Sequence, residues 1–228
     1  MSFFSYNNNE KIYLKGMLGE NMIQNQELLK LVKYKLGVFD ASKEISEEDL
    51  AKVRELSVRN KSISGKPLDI DLTELTQLTG IEDLDLQLFS VGKREAEAIS
   101  ALKNLRRLTI RDSRVDGTIA LDQLESLTIE RGGIGSSASL PDAASINLIG
   151  LEEVDVSRFL SENSKASSLT IRGGKISNLN RLTNLNSLRS VTIEATKADK
   201  DTLKDLVQKN VYVKYNEDER AFNTSKIL

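Results

Sequence analysis

Carboxylates carry most of the possible chemistry of this 228-residue chain, because it contains neither histidine nor cysteine. Two closely spaced pairs stand out, Asp83 with Asp85 and Glu153 with Asp155. A pair of carboxylates can hydrolyse a glycosidic bond or make a weak calcium contact. Serine–histidine triads, thiolate nucleophiles and zinc sites built from cysteine or histidine are excluded, because those residue types are absent.

Both carboxylate pairs also have a simpler interpretation as solvated surface charge. The strand assignment given below places them on the second and fifth strands of one sheet, three strand spacings of about 4.8 Å apart. At that separation the two pairs cannot converge on one bond or one metal ion. We therefore predict a protein without catalytic residues, cofactor or metal site. A carboxylate-only hydrolase or a glycan-binding protein is the less favoured alternative.

One spacing of apolar residues, apolar-x-x-apolar-x-apolar, recurs along the chain and predicts an internal repeat. Its last two positions are two residues apart, which places both side chains on one face of a short strand. One face of each strand is therefore core, and the other faces solvent. The seven full copies and a truncated eighth are Val53, Leu56 and Val58; Ile81, Leu84 and Leu86; Leu105, Leu108 and Ile110; Leu124, Leu127 and Ile129; Leu151, Val154 and Val156; Ala166, Leu169 and Ile171; Leu188, Val191 and Ile193; and Val211 with Val213.

The copies follow one another at intervals of 28, 24, 19, 27, 15, 22 and 20 residues, counted between middle apolar residues and taking Val211 for the last copy. Most of these intervals are close to the roughly 20 to 29 residues of leucine-rich repeats. The 15-residue interval leaves room for little more than a turn between the fifth and sixth strands. The strand assignment is therefore weakest at this interval.

Three copies resemble the leucine-rich-repeat family in their motifs: Leu105–Val115 (LRRLTIRDSRV), Leu124–Ile134 (LESLTIERGGI) and Leu188–Ala198 (LRSVTIEATKA). The resemblance implies an α/β leucine-rich-repeat solenoid. In such a fold a right-handed, curved parallel sheet of about eight short strands carries helices and loops on its convex side. The resemblance also implies that the concave face of the sheet binds another protein.

The sequence departs from the family pattern at the position where an asparagine usually follows the strand. We expect the hydroxyls of Ser113 and Thr196 to donate to backbone carbonyls there, and glycine to adopt a positive φ in a tight turn. The residues at this position are Lys61, Phe89, Ser113, Gly132, Phe159, Gly174 and Thr196.

Helical patterns at both ends predict caps that cover the core of the terminal repeats. Residues 25–37 carry apolar side chains at helical spacing and end on Gly37, and Ser46 starts a second helix, SEEDLAKVREL. This helix–loop–helix before the first strand resembles the N-terminal cap of internalin-like bacterial repeat proteins. At the other end, a helix over Asp199–Lys209 and a strand over Val211–Tyr215 close the array.

The same patterns divide the chain into three parts. Residues 1–52 form an N-terminal tail and helical cap, residues 53–198 form the leucine-rich repeats, and residues 199–228 form a C-terminal capping helix, strand and tail. Within the repeats, Ala96–Leu105 predicts a helix on the convex side, whereas the remaining connections predict loops.

The solvent-facing residues of the strands form the predicted recognition surface. Its central column comprises Ser57, Asp85, Thr109, Thr128, Asp155, Thr170, Thr192 and Tyr212. Because threonine suits strands for structural reasons alone, a purely structural role is the alternative interpretation of this column. The predicted partner-binding residues are Arg59, Asp83, Asp85, Arg107, Thr109, Arg111, Thr128, Glu130, Asp155, Arg172 and Tyr212.

The charge balance favours a protein as the partner. The chain has 32 basic and 34 acidic residues, a net charge of −2 that is too balanced for binding nucleic acid through its phosphates. Charges of both signs alternate over the predicted surface, which fits recognition of a protein by charge complementarity. Two Arg-Gly-Gly tripeptides, at 131–133 and 172–174, follow strands in the same register and are interpreted as turns. We expect a monomer.

The first sixteen residues, MSFFSYNNNEKIYLKG, lack the basic segment and apolar core of a secretory signal, which predicts a cytoplasmic protein. No apolar run approaches the roughly 18 residues needed to span a bilayer. The preferred function is a non-catalytic protein–protein recognition scaffold. The alternative, if a signal peptide has been removed, is a secreted or cell-surface adhesive or structural module of a bacterium.

Overall fold

The computed structural model describes residues 22–62, 64–161 and 164–217 and the backbone of 226–227. Within these residues the strands are β1 (Glu55–Arg59), β2 (Asp83–Gln87), β3 (Ser90–Val91), β4 (Arg107–Arg111), β5 (Arg114–Val115), β6 (Ser126–Glu130), β7 (Gly133–Ile134), β8 (Ser145–Ile149), β9 (Glu153–Asp155), β10 (Ser168–Arg172), β11 (Lys175–Ser177), β12 (Ser190–Glu194), β13 (Tyr212–Asn216) and β14 (Lys226–Ile227). The helices are α1 (Gln26–Lys35), α2 (Glu47–Leu50), α3 (Lys93–Ser100), α4 (Val156–Phe159) and α5 (Lys200–Gln208), with 3-10 helices at Leu72–Gln77 and Leu179–Asn184.

The main sheet joins one strand from each repeat in chain order, β1-β2-β4-β6-β8-β10-β12-β13, and all of these neighbours are parallel. The two-residue strand β14 adds to β13 in the antiparallel direction. The predicted α/β solenoid with about eight parallel strands is confirmed, since sequential parallel neighbours need a crossover connection in every repeat.

The core lies against one face of the main sheet. Strand β2 buries Leu84 and Leu86 completely, and Ile81, three residues before Leu84, is equally buried. Each of the first seven repeats supplies such a triplet, and the buried side chains form one continuous cluster along the array. Because burying one such side chain stabilises a protein by about 1.5–3 kcal/mol, this cluster supplies the main force that stacks the repeats.

The prediction for the fifth strand of the main sheet, which assigned it to Val154 and Val156, was wrong. Residues 145–149 form β8 of the main sheet and bury Ile146 and Leu148, whereas Glu153–Asp155 forms β9 of a separate two-stranded sheet with β11. The apolar spacing did not separate the two segments, because Ala143, Ile146 and Leu148 have the same spacing as Leu151, Val154 and Val156 and both triplets are buried. With the register of the sheet, the middle residues follow at 28, 24, 19, 19, 23, 22 and 22 residues, and the 15-residue interval disappears.

Six consecutive repeats leave the main sheet through one residue in the left-handed conformation, directly after the strand. The N–H of that residue donates to the last carbonyl of the next strand, as from Asp112 N to Glu130 O at 2.8 Å. The turn therefore also extends the ladder between repeats. The residues are Leu88, Asp112, Arg131, Gly150, Gly173 and Ala195, with φ between 47° and 73°.

At the position where the family usually has asparagine, the predictions for Ser113, Thr196 and Gly174 are confirmed. Ser113 Oγ donates to Arg111 O at 2.6 Å, and Thr196 Oγ1 donates to Gly174 O. Gly174 has φ of +77°, whereas Gly132 has no positive φ and serves instead a close approach to the Ser113 carbonyl. Gly132, Gly173 and Gly174 thus belong to turns, whereas Gly133 begins β7. The two tripeptides are offset by one residue, because Arg131 aligns with Gly173.

Short strands after these turns form a second sheet, which is split in two. Strands β3, β5 and β7 pair in parallel, and β9 pairs with β11, but no pairing joins β7 to β9. Two residues separate the main strand from the second-sheet strand in four of the repeats, whereas the fifth repeat has three, Gly150, Leu151 and Glu152. This extra residue shifts β9 by one position relative to β7.

Both predicted caps are present among the described residues. Asn25 Oδ1 accepts the Leu28 N–H at the start of α1, which ends before Gly37 at φ +69°. Ser46 caps α2, but that helix ends at Leu50 and the chain runs directly into β1, so the predicted second helix was too long. Helix α5, capped by Asp199, and β13 close the other end. Residues 1–21, 218–225 and 228 of the predicted tails lie outside the described residues.

Gly174 and Gly37 both have a positive φ, but only Gly174 is closely packed. Alanine substitutions at the two positions therefore separate the cost of backbone strain from the cost of a steric clash. Gly174→Ala should lower the free energy of unfolding by about 2–4 kcal/mol, because a Cβ there lies 2.2 Å from the Leu151 carbonyl oxygen and the residue has a positive φ. Gly37→Ala should cost only about 1 kcal/mol, because its φ is similar but nothing lies within 4 Å. Urea unfolding of both variants measures the difference, and equal losses would contradict the close packing of the repeats.

Candidate recognition surface

The solvent-facing residues of the main sheet form three aligned columns, which together we call the sheet face. The first column is Glu55, Asp83, Arg107, Ser126, Ser145, Ser168, Ser190 and Tyr212. The central column is Ser57, Asp85, Thr109, Thr128, Asn147, Thr170, Thr192 and Lys214. The third column is Arg59, Gln87, Arg111, Glu130, Ile149, Arg172, Glu194 and Asn216.

Nine of the eleven predicted partner-binding residues occupy the predicted columns of this face, and two predicted positions are corrected. Asp155 lies on β9, outside the main sheet, and Asn147 takes its place in the central column. Tyr212 is on the sheet face but in the first column, because β13 pairs Val213 with Val191 and places Lys214 beside Thr192. The sequence prediction missed Asn147 because the apolar spacing did not distinguish β8 from β9. It missed Lys214 because it aligned Val211 and Val213 with the buried residues of the other strands, whereas the sheet aligns Val213 and Tyr215 with them.

Asp155 has a structural role that its sequence neighbour Glu153 does not share. Asp155 Oδ1 accepts from Ser157 N at 3.0 Å, from Ser157 Oγ at 2.7 Å and from Asn178 Nδ2 at 2.8 Å. These hydrogen bonds, Asn178 foremost, lower the pKa of Asp155. The Glu153 side chain is exposed. The two carboxylate pairs of the sequence therefore lie in different sheets, and the structure does not bring them together.

Charged side chains on the sheet face pair with one another across strands β2, β4 and β6. Arg107 Nε lies 2.8 Å from Asp83 Oδ2, and Arg111 Nη2 lies 3.2 Å from Asp85 Oδ2. Arg111 also approaches Glu130, with 3.5 Å between Nε and Oε2, a distance that makes an ion pair without a good hydrogen bond. We call these five residues the charged zone.

Asp85 occupies an unfavourable environment within the charged zone. Burial raises the pKa of Asp85 above its ordinary value, although the neighbouring Arg111 acts in the opposite direction. Its Oδ1 atom is shielded from solvent and accepts no hydrogen bond from any described residue. A carboxylate held in this way costs stability when it is ionised.

The charged zone continues onto the turns that follow the strands. Asp112 accepts from Gln87 Nε2 at 2.8 Å and from Arg131 Nε at 2.9 Å. Arg131 also pairs with Glu130, so charges on the sheet face connect with charges on two successive left-handed turns. Surface ion pairs of this kind contribute little stability, about 0–1 kcal/mol each.

The first and central columns of β6, β8, β10 and β12 carry no charge. We call their residues, together with Ile149, the neutral zone: Ser126, Thr128, Ser145, Asn147, Ser168, Thr170, Ser190 and Thr192. Neighbouring strands contact each other through these side chains, with 3.3 Å between Asn147 Nδ2 and Thr128 Oγ1. Ile149 is a half-buried apolar side chain on the face opposite the core.

Charged and aromatic residues border the neutral zone. Glu130, Arg172 and Glu194 follow one side of it in the third column. At the C-terminal end, Lys214 Nζ lies 2.7 Å from Glu194 Oε1, and Tyr212 is half exposed. Of the remaining predicted residues, Thr109 lies beside the charged zone and Arg59 is exposed on the edge strand β1.

No group of three or more acidic side chains among the described residues is arranged to hold a metal ion. None of the helices in the same residues combines the length and the apolar character that a membrane crossing requires.

Comparisons with known proteins give matches among solved structures but none among sequences. Neither a protein-family model nor a curated protein sequence matches the chain. Among solved structures, an internalin from Listeria monocytogenes is similar at 15% sequence identity and a TM-score of 0.35, over 84% of this chain and 75% of that one. At this TM-score the likeness supports no conclusion about the present chain. The solenoid architecture is established by the strand order of its own main sheet.

The different roles of Asp155 and Glu153 lead to a paired test. Asp155→Ala should lower the free energy of unfolding by about 1 kcal/mol, because it removes the cap of α4 and the bond to Asn178. Glu153→Ala, two residues away, should change it by less than about 0.5 kcal/mol. Urea unfolding followed by circular dichroism measures both, and equal losses would contradict the assignment of Asp155 to a structural role.

The pKa of Asp85 predicts a pH dependence with a definite sign. Because the folded pKa is raised above the unfolded value, ionised Asp85 lowers stability above both pKa values, and this cost vanishes as the pH falls below them. As the pH rises from about 3 to about 7, the stability of Asp85→Asn should therefore increase relative to that of the wild type. Asp155→Asn is the control, because the pKa of the Asp155 carboxyl is lowered in the folded protein. The stability of this variant should decrease relative to that of the wild type as the pH rises over the same range. Parallel pH curves for wild type and Asp85→Asn would contradict the prediction.

Proposed function

We propose that this chain is a non-catalytic recognition module that binds another protein through the sheet face. The observation that carries the proposal is the division of this face into a neutral zone and a charged border. Protein interfaces have the same anatomy, because charged residues are depleted at the buried centre and polar groups occupy the rim. The proposal therefore places the centre of contact on β8 and β10, and the charged zone at the rim.

The composition of the neutral zone suits such a contact. Serine and threonine side chains are short, so little conformational entropy is lost when a partner covers them. Their hydroxyls can donate or accept, which accommodates either polarity in the partner. Ile149 supplies an apolar contact beside them. We infer that affinity comes mainly from this zone.

The charged zone has a different role in the proposal. Its side chains form ion pairs with one another and are solvent-exposed in part, with the Arg107 side chain 54% exposed. Charges at a rim steer association and select orientation more than they add affinity. Arg107, Arg111 and Glu130 therefore set the orientation of the partner in this proposal. Asp85, held at a cost to stability, marks the same zone as a candidate for functional contact.

The size of the sheet face limits the geometry of the complex. Eight strands spaced about 4.8 Å apart and five residues long cover roughly 34 Å by 16 Å, about 540 Å². A stable interface buries about 800 Å² on each partner. The partner must therefore extend beyond the strands, and the turns that carry Asp112 and Arg131 adjoin the charged zone on one side.

A substitution at the centre of the neutral zone tests the proposal. Thr170→Arg places a long charged side chain in the middle of the sheet face, where it should prevent close contact and reduce binding at least about tenfold. Thr76→Arg is the matched control, because Thr76 is exposed on the 3-10 helix at Leu72–Gln77, away from the sheet. Affinity purification from extract of the native cell, read by mass spectrometry, compares both variants with the wild type.

The outcomes of this experiment are distinct. Proteins captured by the wild type and by Thr76→Arg but lost with Thr170→Arg would support the sheet face as the binding site. Identical captures by all three proteins would contradict it. Once a partner is known, Arg107→Glu with Arg111→Glu should slow association and alter its salt dependence more than it changes dissociation.

A further inference from the structure

The break in the second sheet opens a cleft between β7 and β9. Its volume is about 320 Å³, near the lower end of the range of about 300–1,000 Å³ for small-ligand sites. The cleft lies away from the sheet face and plays no part in the function proposed above. We call it the β7–β9 cleft, and its lining includes Arg114, Gly133, Ile134, Glu153 and Phe159.

Main-chain polar groups line both walls of this cleft. The N–H groups of Gly133 and Gly135 donate toward β5, to Ser113 O at 3.0 Å and Val115 O at 2.8 Å. Because successive residues of a parallel strand point to alternate sides, the N–H and C=O of Ile134 face β9. On the other wall Lys175 N donates to Glu152 O, so the N–H and C=O of Glu153 face β7 by the same rule. No strand pairing among the described residues joins the two walls, although the Arg158 side chain donates across from α4 to Gly135 O.

Gly133 lies on one wall of the cleft, and neither its backbone conformation nor its packing requires a glycine. Its φ is not positive, and an added Cβ would meet only Arg114 atoms at 3.7 and 3.9 Å, an ordinary contact distance. By contrast, a Cβ on Gly132 would lie 2.4 Å from the Ser113 carbonyl oxygen. A strand glycine that the fold does not require commonly marks a place where another main chain approaches closely.

Charged side chains of both signs line the cleft, with Arg114 on the β7 side and Glu152, Glu153 and Arg158 on the β9 side. Above β7, the Arg114 guanidinium pairs with Asp116 through Nε alone, and the described residues offer no hydrogen bond to its two terminal nitrogens. On the β9 wall, the carboxylates of Glu152 and Glu153 are exposed and make neither a hydrogen bond nor an ion pair with any described residue. Ile134, Leu151 and Phe159 supply apolar surface between them. A lone anion or a lone cation would meet a like charge on one wall.

We propose that the β7–β9 cleft binds a short zwitterionic peptide of about dipeptide size. Its main chain lies between Ile134 and Glu153 and pairs with their free main-chain groups. The peptide carboxylate meets Arg114, and its ammonium group meets Glu152 or Glu153. Apolar side chains of the peptide contact Ile134 and Phe159.

Isothermal titration calorimetry of the full chain with leucyl-leucine tests this site, with the N-acetylated, C-amidated form of the same dipeptide as the probe without charges. Binding of the zwitterion with a dissociation constant below about 10 mM is expected, with at least tenfold weaker binding of the capped form. Arg114→Gln and Glu153→Gln should each weaken binding. Gly133→Val should remove it, because valine fills the cleft and suits a strand.

Arg106→Gln is the matched control for Arg114→Gln, because Arg106 is also exposed and ion-paired at 2.8 Å, to Glu125. It should leave binding unchanged. Circular dichroism and urea unfolding of Gly133→Val check that the variant is folded. No heat of binding up to about 10 mM, equal binding of the capped dipeptide, or unchanged binding by folded Gly133→Val would each overturn the proposal.

Discussion

The structure depends on one repeated hydrogen bond, made where each strand of the main sheet ends. In six consecutive repeats the first residue after the strand adopts the left-handed conformation and donates its N–H to the end of the next strand. Asn60, after β1, makes the same hydrogen bond without a positive φ. This hydrogen bond extends the ladder between neighbouring repeats by one residue beyond the strands. Four of the six residues involved are not glycine, so this conformation costs about 1–2 kcal/mol at each of them. The buried cluster of stacked repeats must offset that cost.

Because the register is maintained over eight strands, residues far apart in the chain form straight columns on the sheet face. Register therefore decides which charges meet. Asp83 and Arg107 are 24 residues apart and face each other, and Glu194 and Lys214, 20 residues apart, meet diagonally on neighbouring strands. The same register gathers uncharged serines and threonines from four repeats into one neutral zone. The proposed interface is thus a property of the array and belongs to no single repeat.

The fifth repeat shows how a one-residue difference changes a surface without disturbing the sheet. Its main strand β8 keeps the common register, because the turn at Gly150 is made in the usual way. The additional residue comes after the turn, where it alters only the second sheet. There it separates β7 from β9 and leaves main-chain groups without neighbours. A solenoid can acquire a cleft in this manner, since connections tolerate insertions that the core strands do not.

The sequence by itself determined the solenoid, the number of strands, the caps at both ends and most residues of the sheet face. These follow from local signals: the alternation of apolar residues, the helical spacing in α1 and α5, and the capping residue Ser46. Only the tertiary structure decided between β8 and β9 as the fifth strand, placed Lys214 rather than Tyr212 in the central column, and divided the second sheet. The physical reason is that both candidate segments bury equally good apolar triplets, so burial does not separate them. The hydrogen bonds from a neighbouring strand do, and those bonds exist only when the repeats are stacked.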